Sequence, residues 1–335
     1  MNVDVNTDQS LSTLQILLNS NTINCKSSKL NLDFQVHIHN ETNLSNQKCF
    51  IMTIHDLGSN HMQFEKFINC PQMTGLRNRV IWLNVNLPGQ GPDAETMTIK
   101  KYPSLEELGE ELVCILDQLK IPQVVCMGVG VGANIISYFA LKNTSRCLGL
   151  IILEPIASSA GIFEAIRKKF NSFQSKKSIG NISDEIPLDH SDQCLFTESY
   201  NSKNMALFAQ SFFQRSCILN QLGNLRIDAM IAVGKLSPLY TETKKFYKTL
   251  QDLNKKTPQR LVNSPYLEID NCVNILKECP ERLTSSLQYF LQGIGLLSAM
   301  PMQKIHAKPR SIISSILSDS ICDEMSSSSS IALSH

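Results

Sequence analysis

Apolar and polar positions along the 335-residue chain follow two rhythms. Phe34-Gln-Val-His-Ile-His39 alternates residue by residue, the pattern of a half-buried strand. Cys49–Ile54 and Val80–Val85 are nearly unbroken apolar runs, ending in His55-Asp56-Leu57-Gly58 and Leu87-Pro-Gly-Gln-Gly91, as expected of buried strands. Ser104-Leu-Glu-Glu107 behind Pro103 reads as a capping box. Leu105, Leu108, Leu112, Ile115, Leu116 and Leu119 then recur at helical spacing, which predicts an amphipathic helix over 104–119. A strand at 123–127, a glycine turn, a helix at 132–142 and a strand at 149–153 follow. Further strands are predicted at Ala229–Gly234 and Pro265–Ile269, and a closing helix over about 280–292 sets Leu283, Leu287, Phe290 and Leu291 on one face.

Strands alternating with helices imply an α/β fold with a mostly parallel central sheet and helices on both faces. Between Ile156 and Asp228 the strand signal disappears, which predicts a small helical cap inserted between strands at about 157–227. Residues 1–30, rich in Asn, Ser and Thr with a weak apolar patch at Leu11–Leu18, are expected to be irregular. The domain then covers 31–303, and the serine-rich, aromatic-poor segment 304–335 reads as a disordered tail.

Composition narrows the possibilities. Lys plus Arg is 31 and Asp plus Glu is 30, so no basic field points to nucleic acid or an anionic membrane, while 42% hydrophobic residues suffice for a core. The eleven cysteines show neither C-x-x-C nor zinc spacing. Cys114 and Cys126 lie inside apolar runs, which fits a reducing compartment. No secretory signal, myristoylation site or membrane-length apolar run is visible, so the expectation is a soluble, cytoplasmic protein. The N-x-S/T matches at Asn40, Asn43, Asn143 and Asn181 then read as chance.

The chemistry hinges on Met127-Gly-Val-Gly-Val-Gly-Ala133. Gly128, Gly130 and Ala133 match G-x-G-x-x-G/A, with Glu154 ending the next strand. That motif normally opens the first βα unit, whereas two strands and a long helix precede it here. A nucleophile elbow, G-x-S-x-G, fits the position better, with His55-Asp-Leu-Gly58 where an oxyanion loop belongs, but its nucleophile position is Gly130. A bare strand-to-helix turn is the third possibility. Ser137 and Cys126 lie away from the apex and read as packing residues.

Several stretches together resemble the N-myc downstream-regulated (NDRG) family. They are Tyr102-Pro-Ser-Leu-Glu-Glu-Leu108, Cys114-Ile-Leu116, the glycine turn, Tyr138-Phe-Ala-Leu141, Leu148–Leu153, His55–Asn60, Leu87-Pro-Gly-Gln90 and Tyr289–Gly295. The likeness runs in one order from about residue 34 to 318 and is loosest in the cap, where Asn201-Ser202 is the best anchor. It implies an α/β-hydrolase fold in a family regarded as non-catalytic, linked to stress response, growth and differentiation control, signalling and trafficking, with phosphorylated serine-rich tails.

A hydrolase triad runs Ser, Asp or Glu, His in chain order. The corresponding positions hold Gly130, Ser237 after the strand Ala229–Gly234, and Val273 before the last helix. His55 and Gly58 are then a vestigial oxyanion loop, and Glu154 could be a displaced acid. His37 and His39 share a strand face without a visible third metal ligand. His61, His190 and His306 lie in polar sequence, and His335 is terminal. No cofactor or metal is expected.

The expected function is that of a non-enzymatic signalling or adaptor protein with protein partners and a kinase-accessible tail. Candidate phosphorylation sites are Ser311 behind Lys308-Pro-Arg310, then Ser314 and Ser315; the Ser326–Ser330 run is a further possibility. The alternatives are a hydrolase or lyase with non-standard chemistry, and a small-molecule sensor, each using the same cleft.

Overall fold

A computed structural model describes residues 22–39, 49–158, 201–256 and 262–301. Contacts divide the chain into two units, Met1–Ala299 and Met300–His335, and the fold below is that of the first. Eight strands form one sheet in the order β1-β2-β4-β3-β5-β6-β7-β8. They are β1 Thr22–Ser27, β2 Leu32–His39, β3 Cys49–Ile54, β4 Val80–Asn86, β5 Val124–Val129, β6 Cys147–Leu153, β7 Ala229–Gly234 and β8 Tyr266–Ile269. β1 pairs antiparallel with β2 and β2 with β4; every other neighbour is parallel. The helices are α1 Met62–Ile68, α2 Thr74–Arg77, α3 Leu105–Glu111, α4 Val113–Gln118, α5 Val131–Lys142, α6 Ser202–Phe213, α7 Tyr240–Lys256, α8 Ile275–Glu278 and α9 Pro280–Gly293.

Residue type explains the central ladder. β3, β4, β5 and β7 are buried at every position, as parallel strands covered on both faces must be, and their sequences lack polar alternation accordingly. β2, near the edge, buries Phe34, Val36 and Ile38 and turns the residues between them outward.

Three expectations change. Residues 22–27 are a strand, although the segment 1–30 reads as irregular. β1 buries only Cys25 and Ser27, so its alternation carries too few apolar residues to register. The helix expected over 104–119 is two: Leu112, at φ −56 and ψ −20, ends α3 and starts α4. Leu105, Leu108, Leu112, Ile115 and Leu116 all stay buried across the break. The capping box is present, with Ser104 Oγ accepting from Glu107 N–H at 3.2 Å and Glu107 Oε2 accepting from Ser104 N–H at 2.8 Å. Finally, α7 has no counterpart among the expected elements, because two of its four buried residues, Glu242 and Thr243, are polar.

Between β6 and β7 the described residues include 201–228. This stretch, with α6 and the turns Ile218–Asn220 and Leu222–Asn224, is fastened to the segment after β4. Asn204 donates to the carbonyls of Gly89 and Glu95 and accepts from Met97 N–H, and Ser211 Oγ donates to Pro103 O at 2.6 Å. The part of the expected cap between 159 and 200, the tail with Ser311, Ser314, Ser315, His306 and His335, and His190, Asn40, Asn43 and Asn181 lie outside the described residues.

Candidate active site

The carboxyl ends of β3, β5, β6 and β7 meet around Gly130. Its backbone, at φ +55 and ψ −114, turns the chain from β5 straight into α5, a conformation that side chains other than glycine rarely adopt. Two positions on, a Cβ at Gly132 would collide with the Ile54 carbonyl, so the start of α5 packs directly on the end of β3. The glycine turn is therefore a sharp elbow seated against the loop that follows β3.

That loop supplies an anion to the elbow. Asp56 Oδ1 accepts from Val131 N–H at 2.9 Å and from Leu57 N–H at 2.8 Å. In hydrolases with a nucleophile elbow, the oxyanion hole consists of the N–H following the nucleophile and an N–H from the loop after the third strand. Val131 and Leu57 hold those two positions here, and the Asp56 carboxylate fills the space between them. A Cβ built on Gly130 would overlap the Asp56 carboxyl carbon and both its oxygens. The place where a nucleophile side chain would begin is thus occupied by Asp56.

The sequence placed the oxyanion loop at His55–Gly58, but the side chain that reaches the elbow is Asp56. His55 points into the core, with Nε2 accepting from Leu87 N–H at 3.2 Å and Nδ1 donating to Asp56 O at 2.8 Å. Those two bonds put its proton on Nδ1. Burial pushes its pKa down to about 4, so the ring is neutral at physiological pH. Gly58, at φ +72, turns the loop toward α1. The sequence signal for this contact is the acid that directly follows His55.

Glu154, at the end of β6, faces the same point. Its backbone holds φ +51, and its N–H donates to Ala232 O at 3.0 Å. The Ser237 hydroxyl and the Gly234 N–H lie near enough to its carboxyl to favour the charged form, while Oε1 is sealed from solvent with no hydrogen-bond partner. Ser237 Oγ in turn accepts from Leu239 N–H at 3.2 Å. Burial, and then the charge of Asp56, push the Glu154 pKa up to about 8, whereas burial raises Asp56 to about 6 against its two N–H donors. Both carboxyls are thus pushed toward their neutral forms, Glu154 further than Asp56.

Val273 lies beside this group. Leu236 N–H donates to Cys272 O at 3.0 Å, which docks the Val273 segment onto the end of β7, and Val273 N–H is held by Glu278 Oε2 at 2.8 Å. The considered substitutes for the nucleophile are structural: Ser137 Oγ donates back to Ala133 O at 2.7 Å, and Cys126 is fully buried.

The remaining described histidines gather elsewhere. His37 and His61 stack with ring centroids 3.5 Å apart, and Asn86 Nδ2 lies 3.2 Å from His37 Nε2 and 3.0 Å from His61 Nδ1. His39 and His61 approach Glu65 at 3.5 and 3.6 Å. Burial first, then His61 and His39, lower the His37 pKa to about 4. Among the described residues no group of three His, Cys, Asp or Glu side chains is placed to hold a metal ion, and no helix is long and apolar enough to cross a membrane.

Comparison with known proteins bears on the family and the fold. The model of the Ndr family matches residues 33–298. An uncharacterized protein of Caenorhabditis elegans, ZK1073.1, is 30% identical over 283 residues, covering 79% of this chain and 83% of its own. NDRG3 of Xenopus laevis is 24% identical over 81% of this chain and 76% of its own, and the pollen-specific protein SF21 of Helianthus annuus is 28% identical over 75% of each. Among solved structures, a bacterial membrane phospholipase A superposes with TM-score 0.60 at 15% identity, covering 86% of this chain and 91% of its own. A thermophilic esterase of Thermogutta terrifontis gives TM-score 0.60 at 15% identity, covering 82% and 99%. At that identity the likeness is one of fold, the α/β-hydrolase fold.

Proposed function

The chain belongs to the Ndr family, and from that premise we propose that it is a non-enzymatic, NDRG-like adaptor on a degenerate α/β-hydrolase scaffold. The observation that carries this reading is the Asp56 carboxylate seated between Leu57 N–H and Val131 N–H over Gly130. Acyl transfer needs a nucleophile at the elbow, a base to activate it and an empty pair of donors for the oxyanion. Here the apex is glycine and the donor pair already holds an anion. Gly130, Ser237 and Val273 are the degenerate triad positions on this reading.

By family resemblance, the role is signalling in stress response and growth or differentiation control, in the cytoplasm, through protein partners. Kinases acting on Ser311, Ser314 or Ser315 would add charge and acceptor oxygens to the tail and so change what it docks to.

The test is labelling of the full chain with a fluorophosphonate probe, together with turnover of p-nitrophenyl esters and lactones. Neither labelling nor turnover is expected. Covalent labelling of any cleft serine or cysteine would sink the reading. Proximity labelling with and without residues beyond 304 tests the tail: partner recovery that is unchanged by phosphatase and by tail removal would count against it.

A further inference from the structure

We propose that the cavity between α3, α5 and the end of α6 binds a small acidic amino acid, with its carboxylates on Arg215 and Lys101 and its ammonium on Glu106. This goes beyond the adaptor reading, and it rests on residues outside the cleft at Gly130.

The cavity holds about 140 Å³ and lies about two turns along α5 from the elbow. At about 30 Å³ per water it takes roughly five waters, or one small solute. Leu105 is the one aliphatic residue in its described lining, and the charged groups there are Arg215, Lys101 and Glu106. An apolar ligand finds little to cover in such a space, and a ligand of a single charge sign is repelled from one side.

Arg215 is the anchor. It is 7% exposed, so its charge is buried. Nη1 donates to Phe212 O at 2.9 Å and Nη2 to Ser158 O, with Cζ 4.2 Å from the centre of the Phe212 ring. Those contacts close the end of α6 and fix the plane of a group that carries five donors. Both bonds go to carbonyl oxygens. The acid acting on it from α7, Glu242, is itself taken up by Ser158 N–H at 2.6 Å. Burial lowers the Arg215 pKa only to about 10, so the group is a cation at neutral pH. A buried cation is costly without an anion, and a fixed guanidinium takes a carboxylate through two parallel bonds.

Glu106 gives the cavity its second sign. Its Oε1 meets Lys142 Nζ at 2.8 Å, and among the described residues its other oxygen takes no hydrogen bond. Tyr138 links the two charges: its hydroxyl lies 3.3 Å from Ser216 Oγ and within range of both Glu106 and Arg215. Burial, and then the charge of Glu106, raise the Tyr138 pKa, so that hydroxyl keeps its proton. The bond to Ser216 spends one of the two hydroxyl hydrogens, and the other can meet a ligand oxygen. Lys101 stands exposed at the rim, where it also feels Glu107.

Complementarity then selects the ligand. Two cations and one carboxylate match a solute with two carboxylates and one ammonium. A dicarboxylate without the amine leaves Glu106 facing like charge, and a neutral amino acid leaves Lys101 unused. The bound solute would bridge α3 and α5 to the end of α6.

The experiment titrates the full chain with L-aspartate, succinate, L-alanine and inorganic phosphate by calorimetry. Aspartate should bind, and succinate, which lacks only the ammonium, should bind about 10-fold more weakly. E106Q should weaken aspartate about 10-fold and leave succinate as tight or tighter. K101A should weaken aspartate about 3-fold and leave alanine unchanged. R215K should weaken aspartate and succinate alike, by about 10-fold or more. Glu106 is half-exposed on α3 and Lys101 is exposed, so those two variants carry the test if R215K fails to fold. No saturation by aspartate up to about 10 mM overturns the proposal. So does equal binding of aspartate and succinate, tighter binding of phosphate, or an equal loss of both acids in E106Q. The fluorophosphonate and proximity-labelling tests read neither Arg215 nor Glu106, so this proposal and the adaptor reading fail separately.

Discussion

Replacing Gly130 with serine should destabilise the protein without creating an esterase. Two costs can be worked out. A non-glycine residue at the left-handed φ of +55 costs about 1–2 kcal/mol. The new Cβ would also overlap the Asp56 carboxylate, which must leave Leu57 N–H and Val131 N–H. Hydrogen bonds to a charged group contribute about 1.5–3 kcal/mol each, so losing both adds about 3 kcal/mol or more. A loss of about 4 kcal/mol lowers Tm by about 10 °C in a domain of this size. Urea unfolding of wild type, G130S, D56A and the double variant separates the two costs. In the D56A background the serine should cost only the backbone share, about 1–2 kcal/mol. Strict additivity across the cycle would refute the clash, and esterase turnover by G130S would refute the occupied hole.

Stability should also respond to pH through Glu154. Its folded pKa of about 8 lies above the ordinary glutamate value of 4.5, so its favourable contribution is complete below about 4.5 and is lost as pH rises through 8. E154Q should therefore flatten the fall in urea midpoint between pH 5 and pH 8; a variant that loses stability in parallel with wild type would contradict this. Asn204→Ala removes bonds to Gly89, Glu95 and Met97 and should cost about 2–4 kcal/mol, with faster proteolysis in 87–103 as the readout. Ser104→Ala breaks a capping box and should cost about 1 kcal/mol in thermal unfolding, independent of any change in the cleft.

Much of the fold was legible because burial on both faces of a parallel strand leaves an unbroken apolar run, as in Cys49–Ile54 and Ala229–Gly234. What escaped was structure whose buried face is partly polar. β1 buries a cysteine and a serine, the latter donating to Glu111 at 2.6 Å, and α7 buries Glu242, which accepts from Ser158 N–H at 2.6 Å. Hydrogen bonds to distant residues satisfy those groups, and no periodicity can announce a distant partner. The elbow was readable from its glycines and its place in the strand order. Asp56 as its occupant was not, because a contact across 75 residues between a side chain and a backbone N–H leaves no trace in the spacing.

On the adaptor reading, the filled donor pair bears on how reversible a loss of acyl chemistry would be. An enzyme's donors are useful because they bind an oxyanion better in the transition state than in the ground state. Here the ground state itself holds the charge, so the same hydrogen bonds strengthen the fold. Serine at 130 would break that contact before any base or acid was present to make use of it. A return to acyl chemistry must begin by clearing Asp56 from the hole, and every single step toward it starts with a less stable protein.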